Sequence, residues 1–166
     1  MIGTTLTESS LLMAFEHKTG DIFDTKLPAI GHGVNLYGVM GAGIAKAIAT
    51  VFPQVLNPYK EACKTKQLTP GTMQYVQVQN NPAFYILNLA SQDRPGKHAR
   101  LEWVESSLEA AILFCKTNNL EGFAVPRIGA RIGGLAWEDV KEILERVALQ
   151  EPDVLVEIWS LPNADD

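Results

Sequence analysis

The sequence is short of cysteine, of long apolar runs and of positive charge, and each shortage closes off a class of protein. Cys63 and Cys115 are its only cysteines. With no CxxC pair and no histidine close by in sequence, neither a disulfide framework nor a zinc site is indicated, and both read as buried thiols in helical patterns. No apolar stretch approaches the roughly 18 consecutive residues of a membrane-spanning helix, and no basic segment leads into an apolar one in the manner of a secretory leader. A cytoplasmic protein without a membrane partner is expected. Lys and Arg number 14 against 19 Asp and Glu, a formal charge of −5. That balance argues against a stable nucleic-acid-binding face, because such affinity comes largely from cations that neutralise phosphates. A local phosphate pocket stays open, since main-chain N–H groups at a helix start need no lysine.

What is present is one domain's worth of chain: 166 residues, 46% of them hydrophobic, enough to bury a core. Residues 1–10 are rich in Ser, Thr and Gly without a sustained period and read as a flexible or edge segment; the domain proper is expected over 11–166. Short apolar runs alternate with helical patterns. Strands are predicted at Leu11–His17, Ala29–Val34, Gly71–Val78, Phe84–Leu89, Gly122–Pro126 and Val154–Leu161. Helices are predicted at Ile44–Phe52, where Pro53 stops the run, at Val55–Lys66, and at Trp137–Leu149. The clearest amphipathic helix carries Leu101, Val104, Leu108, Ala111, Ile112 and Cys115 at helical spacing. The Gln79-Asn80-Asn81-Pro82 turn joins two antiparallel strands. The fold class is therefore α/β, a three-layer α/β/α sandwich around a central mixed sheet.

Two segments carry chemistry. In Gly31-His32-Gly33-Val34-Asn35-Leu36-Tyr37-Gly38-Val39-Met40-Gly41-Ala42-Gly43-Ile44-Ala45 a strand feeds a glycine-spaced turn that opens a helix. Unpaired N–H groups and aligned peptide dipoles favour anions there. Such turns also serve tight packing alone, and neither the GxGxxG nor the GxxxxGK[ST] spacing is present. A second loop of the same construction, Pro126-Arg127-Ile128-Gly129-Ala130-Arg131-Ile132-Gly133-Gly134, again stands between an apolar strand and a helix. Two such loops at the open end of an α/β sheet suit a diphosphate flanked by two sugars.

These segments, preceded by Gly20-Asp21-Ile22-Phe23 and followed by Leu135 and Trp137, resemble a macrodomain over about Leu11 to Leu161. The similarity is greatest to the branch of terminal ADP-ribose protein glycohydrolases, DNA ADP-ribose-removing antitoxins and related bacterial hydrolases. The resemblance implies binding of ADP-ribose, or of ADP-ribosylated protein or nucleic acid, by a monomer with no cofactor and no metal. It implies that Asp21 accepts from the adenine amino group with Ile22 beside it, and that Asn35 contacts the distal ribose as the catalytic residue. Gly41, Ala42, Gly43, Ile44 and Ala45 would hold the diphosphate, and Ile128, Gly129, Ala130, Arg131, Ile132, Gly133 and Gly134 would close over it. Leu89 and Ala90 are implied as further ligand contacts.

Each residue also has a plainer reading. Asp21 fits a turn-and-cap pair, Asn35 a turn residue, His32 a neutral hydrogen-bonded histidine, Arg127 and Arg131 solvated loop cations, and Trp137 a core anchor. Where part of the branch carries a catalytic lysine and an acidic loop residue, this sequence has the stretch Asn88-Leu89-Ala90-Ser91-Gln92 and Gly133. Neither glycine loop supplies the carboxylate pair usual in glycoside hydrolysis. Water attack assisted by the substrate's own phosphate is the expected mechanism. An ADP-ribose 1″-phosphate phosphatase and a non-catalytic ADP-ribose reader are the alternatives.

Overall fold

A computed structural model describes residues 14–162. The segment 1–10, and the start of the strand expected from Leu11, lie outside the described residues. Six strands are formed: β1 (Phe15–Thr19), β2 (Ala29–Gly33), β3 (Met73–Asn80), β4 (Ala83–Leu89), β5 (Gly122–Val125) and β6 (Leu155–Ser160). Four α-helices accompany them: α1 (Gly43–Val51), α2 (Leu56–Lys64), α3 (Leu101–Thr117) and α4 (Trp137–Gln150). The sheet order is β1-β6-β5-β2-β4-β3. The first five strands in that order run parallel, and β3 pairs antiparallel with β4, so the sheet is mixed.

The two-residue period of a strand sends neighbours to opposite faces. Ala29, Leu87, Leu89, Phe123, Val125, Val156 and Ile158 meet Val104, Leu108, Ile112, Val140 and Leu144 of α3 and α4 in one core. Ile30, Ile86, Ala124 and Trp159 meet Ile48, Tyr59 and Ala62 of α1 and α2 in the other. Helices on both faces explain why β5 is buried at every position, as a strand covered on both sides must be. Among the described residues no helix is long and apolar enough to cross a membrane.

The departures from expectation are local. The single helix expected over Val55–Lys66 is a short 3₁₀ turn, Pro53–Val55, followed by α2. Pro53 takes the first position of that turn, where its missing N–H costs nothing. Cys115 is buried, whereas Cys63 is only partly so. Burial pushes the Cys115 thiol up to about 12.

One topological feature fixes the site. From β2 the chain crosses through α1 and α2 to β3 and β4 on one side, while from β5 it crosses through α4 to β6 on the other. The border between β2 and β5 is therefore the switch point of the sheet, where loops from adjacent strands diverge and leave a crevice.

Candidate functional site

A cleft of about 870 Å³ occupies that crevice, within the range of small-ligand sites. Its walls include the residues that follow all five parallel strands: Gly20 to Phe23 after β1, Leu161 after β6, Pro126 after β5, Val34 and Asn35 after β2, and Ser91 and Gln92 after β4. Five strands at about 4.8 Å spacing make a trough about 19 Å long, suited to an extended ligand rather than a compact one.

The first glycine loop delivers α1 into the middle of the cleft. Its N-cap residue, Ala42, offers no side-chain hydrogen bond, and the first intrahelical bond of the main chain is from Lys46 N to Ala42 O at 3.3 Å. The amides of Gly43, Ile44 and Ala45 precede that bond, and all three residues line the cleft. They present N–H donors with roughly half a positive charge from the helix dipole. Gly43 takes φ +57, and a Cβ there would lie 3.1 Å from Ile132 Cδ1. The second loop therefore reaches across and touches the first.

That second loop folds into a 3₁₀ turn over Arg131–Gly133. Arg131 holds φ +55 despite its side chain, a conformation that costs on the order of 1 kcal/mol and is found at ligand-clamping segments. Arg127 Nε donates to Ser160 Oγ at 2.9 Å, and its guanidinium sits 4.6 Å from the centre of the Trp137 ring. Trp137 belongs to the α3/α4 core, as an anchor rather than a platform in the cleft.

At the β1 end, Asp21 Oδ1 accepts from Phe23 N at 3.0 Å and caps the 3₁₀ turn Ile22–Asp24. Asp21 is exposed and lines the cleft with Ile22, Phe23 and Trp159; the cap uses one of its two carboxylate oxygens. The indole of Trp159 is fixed by donation from its Nε1 to buried Glu157 Oε1 at 3.0 Å.

At the opposite end, the Asn35 amide is largely committed to its own loop. Oδ1 accepts from Tyr37 N at 2.9 Å, and the single proton of the Tyr59 hydroxyl is shared between Asn35 O at 2.7 Å and Oδ1 at 3.0 Å. Nδ2 donates to Val39 O at 2.9 Å. With Oδ1 facing Tyr37 N, Val39 N at 3.5 Å and the shared Tyr59 proton, the side chain retains one N–H for a ligand: it donates to a sugar hydroxyl but does not accept from one. Gln92 lines the same end, its Nε2 donating to Arg94 O at 2.7 Å and Gly96 O at 3.2 Å.

Of the residues expected from sequence, Asp21, Ile22, Asn35, Gly41, Ala42, Gly43, Ile44, Ala45, Ile128, Gly129, Ala130, Arg131, Ile132 and Gly133 all line the cleft. Three do not. Leu89 and Ala90 are fully buried, one in each core, because the end of β4 still obeys the strand's alternation; Ser91 and Gln92, one step further on, take the floor position instead. Gly134 adopts φ +84 behind the loop, packed on Lys97, where it ends the 3₁₀ turn. Phe23, Trp159 and Ser160 were not expected. Only the pairing of β1 with β6 brings the C-terminal strand beside Asp21.

His32 lies one residue before the lining and is fully buried. Its Nε2 is 2.7 Å from Asn88 Oδ1. Asn88 Nδ2 donates to Gln74 Oε1 at 3.0 Å and Gln74 Nε2 to Pro58 O at 2.9 Å, so the network makes His32 the donor and leaves Nδ1 unprotonated. Burial, opposed by the Asn88 bond, lowers its pKa from 6.5 to about 4. A neutral histidine sealed under the floor is not an acid or base for chemistry in the cleft. Among the described residues, no group of His, Cys, Asp and Glu is placed to hold a metal ion.

Residues 31–144 match the Macro domain family. The DNA ADP-ribosyl glycohydrolase of Mycobacterium tuberculosis is 32% identical over 137 residues, which are 82% of this chain and 39% of that protein. The chain thus spans about two fifths of that relative's length. The human ADP-ribose glycohydrolase OARD1 is 27% identical over 143 residues, 86% of this chain and 88% of that one. The structure of Thermosipho africanus DarTG in complex with ADP-ribose superposes with a TM-score of 0.78 at 25% identity, covering 90% of this chain and 43% of that one.

Proposed function

The chain belongs to the Macro domain family, and on that premise we propose that it binds ADP-ribose along the cleft and hydrolyses an ADP-ribosyl linkage on a modified macromolecule. The observation that carries this reading is the contact of the two glycine loops, Ile132 over Gly43, across an uncapped helix start at the switch point of the sheet. A diphosphate lying there accepts the free amides of α1. Adenine then extends toward Asp21 and Ile22, with the amino group donating to the open carboxylate oxygen, and the distal ribose extends toward Asn35 and Gln92. The names of the two glycohydrolase relatives, and the ADP-ribose held by a structural neighbour, support the same assignment.

Hydrolysis at the anomeric carbon passes through an oxocarbenium-like state. Among the described residues lining the cleft, Asp21 is the only carboxylate, and it lies at the adenine end. The chain's own contribution is therefore positional: Asn35 donates to the ribose, the α1 amides fix the diphosphate, and the second loop excludes bulk water. A water held by the substrate's phosphate adds its oxygen to the anomeric carbon. The bond to the macromolecule breaks, and the departing group takes the electron pair and the water's proton by way of the phosphate oxygen. The burial of His32 leaves a phosphatase reading without its histidine.

The test is the time course of ADP-ribose release from ADP-ribosylated single-stranded DNA and from protein ADP-ribosylated on carboxylates, with wild type and Asn35→Ala compared. Turnover by the wild type, and a lower rate at nearly unchanged affinity for the variant, is expected. Saturable binding with no release from either substrate would make the protein a reader, and equal rates for the two proteins would remove Asn35 from the mechanism.

A further inference from the structure

Asn35 is held from below by a residue that never reaches the cleft. Tyr59 is fully buried on α2, a helix absent from the cleft walls. Its hydroxyl lies 2.7 Å from the main-chain oxygen of Asn35 and 3.0 Å from Asn35 Oδ1. Burial pushes the phenol's pKa up, so it stays protonated and remains a donor. The helix carrying it is moored one residue earlier: Pro58 O accepts from Gln74 Nε2 at 2.9 Å, Gln74 accepts from Asn88, and Asn88 from His32. A continuous set of polar contacts thus runs from the middle of the sheet, through β4, β3 and α2, to the residue beside the distal ribose.

We propose that Tyr59 is a positioning residue for the reaction: its hydroxyl, shared between the main-chain oxygen and Oδ1 of Asn35, ties that residue to α2 in the place from which an Nδ2–H reaches the ribose. Without that donor, Oδ1 keeps only main-chain partners, Tyr37 N at 2.9 Å and Val39 N at 3.5 Å. The amide keeps its orientation through Tyr37 N and the bond from Nδ2 to Val39 O, but the residue loses its tie to α2, and part of the population carries the Nδ2–H out of reach of the sugar. Tyr59 touches no substrate, so its effect passes entirely through Asn35. The inference rests on the reading of the cleft as an ADP-ribose site, but the placement of Asn35 is measurable without any ligand.

The experiment is a double-mutant cycle of Tyr59→Phe and Asn35→Ala, read by ADP-ribose release and by the ¹⁵N–¹H spectrum of the Asn35 side-chain amide, assigned by its loss in Asn35→Ala. Phenylalanine keeps the buried ring. Tyr59→Phe is expected to lower kcat about three- to tenfold, the worth of one neutral hydrogen bond, with KM little changed, and to cause no further loss in the Asn35→Ala background. The amide resonances should shift and broaden in Tyr59→Phe without ligand. Equal losses in both backgrounds would mean a general structural effect and overturn the proposal. So would an Asn35 amide pair unmoved by Tyr59→Phe, whether or not ADP-ribose is cleaved. Should the variant not fold, the wild type still decides without ligand: a Tyr59 hydroxyl proton in slow exchange with solvent and in contact with the Asn35 amide supports the proposal, and one that exchanges freely overturns it. Failure of the wild type to bind ADP-ribose at all would instead refute the function assigned above.

Discussion

Lowering the pH should unfold this protein through a residue that its chemistry does not use. His32 is buried with Nδ1 lacking a partner among the described residues, so a second proton would place an uncompensated charge between two apolar layers. The folded state therefore holds the imidazole neutral down to about pH 4, while the unfolded chain takes up a proton near 6.5. Where the unfolded state binds more protons, stability falls as pH falls. The contribution of the neutral histidine is complete above pH 6.5, declines between 6.5 and about 4, and is gone below. At 1.36 kcal/mol per pH unit the whole window corresponds to about 3 kcal/mol. Carboxylates titrate over part of the same range, so the comparison is with His32→Gln, whose Nε2 replaces the donor to Asn88 and does not ionise. Urea unfolding of the two proteins at pH 7 and pH 4.5 should show the wild type losing on the order of 2–3 kcal/mol more than the variant. Parallel losses, or an NMR titration of His32 with a midpoint near 6.5, would refute the argument.

Asp21→Asn keeps the cap on Phe23 N, since asparagine caps as well as aspartate. Its melting temperature should hardly move, while ADP-ribose affinity falls about tenfold, as expected when a charged acceptor becomes neutral; an analogue whose purine lacks the amino group should bind both proteins alike. Gly43→Ala puts a Cβ on a left-handed residue 3.1 Å from Ile132 Cδ1. It should cost about 1–2 kcal/mol in stability by denaturant titration and a larger loss in ADP-ribose affinity, because Ile132 must retreat from the closed loop pair. Unchanged affinity would mean that the loops do not meet in the bound state.

Local order in this chain is legible because its signals agree. Proline and glycine punctuate the strands, and the repeat of Val104, Leu108, Ala111 and Cys115 marks α3 within a few residues of its ends. The two glycine loops are legible for the same reason: each follows an apolar run and precedes a helix. Long-range order is not encoded in such spacing. Nothing in Phe15–Thr19 announces that it pairs with Leu155–Ser160 and so brings Trp159 to the adenine end. Leu89 and Ala90 look like cleft residues by their place at the end of a strand, yet the alternation that buries β4 carries on through both, and Ser91, itself buried, is the first to reach the cleft wall. The commitment of Asn35 is invisible for a different cause: its partner Tyr59 lies 24 residues away on a helix whose placement depends on Gln74.

The central claim is that the crevice between β2 and β5 is an ADP-ribose site, and calorimetric titration of ADP-ribose into the wild-type protein tests it most directly, with AMP and ribose 5-phosphate titrated alongside. One ADP-ribose per chain is expected, bound more tightly than either fragment, because only the whole ligand spans Asp21, the α1 amides and Asn35. No saturable heat from ADP-ribose, or equal affinity for AMP, would contradict a ligand laid along the whole cleft.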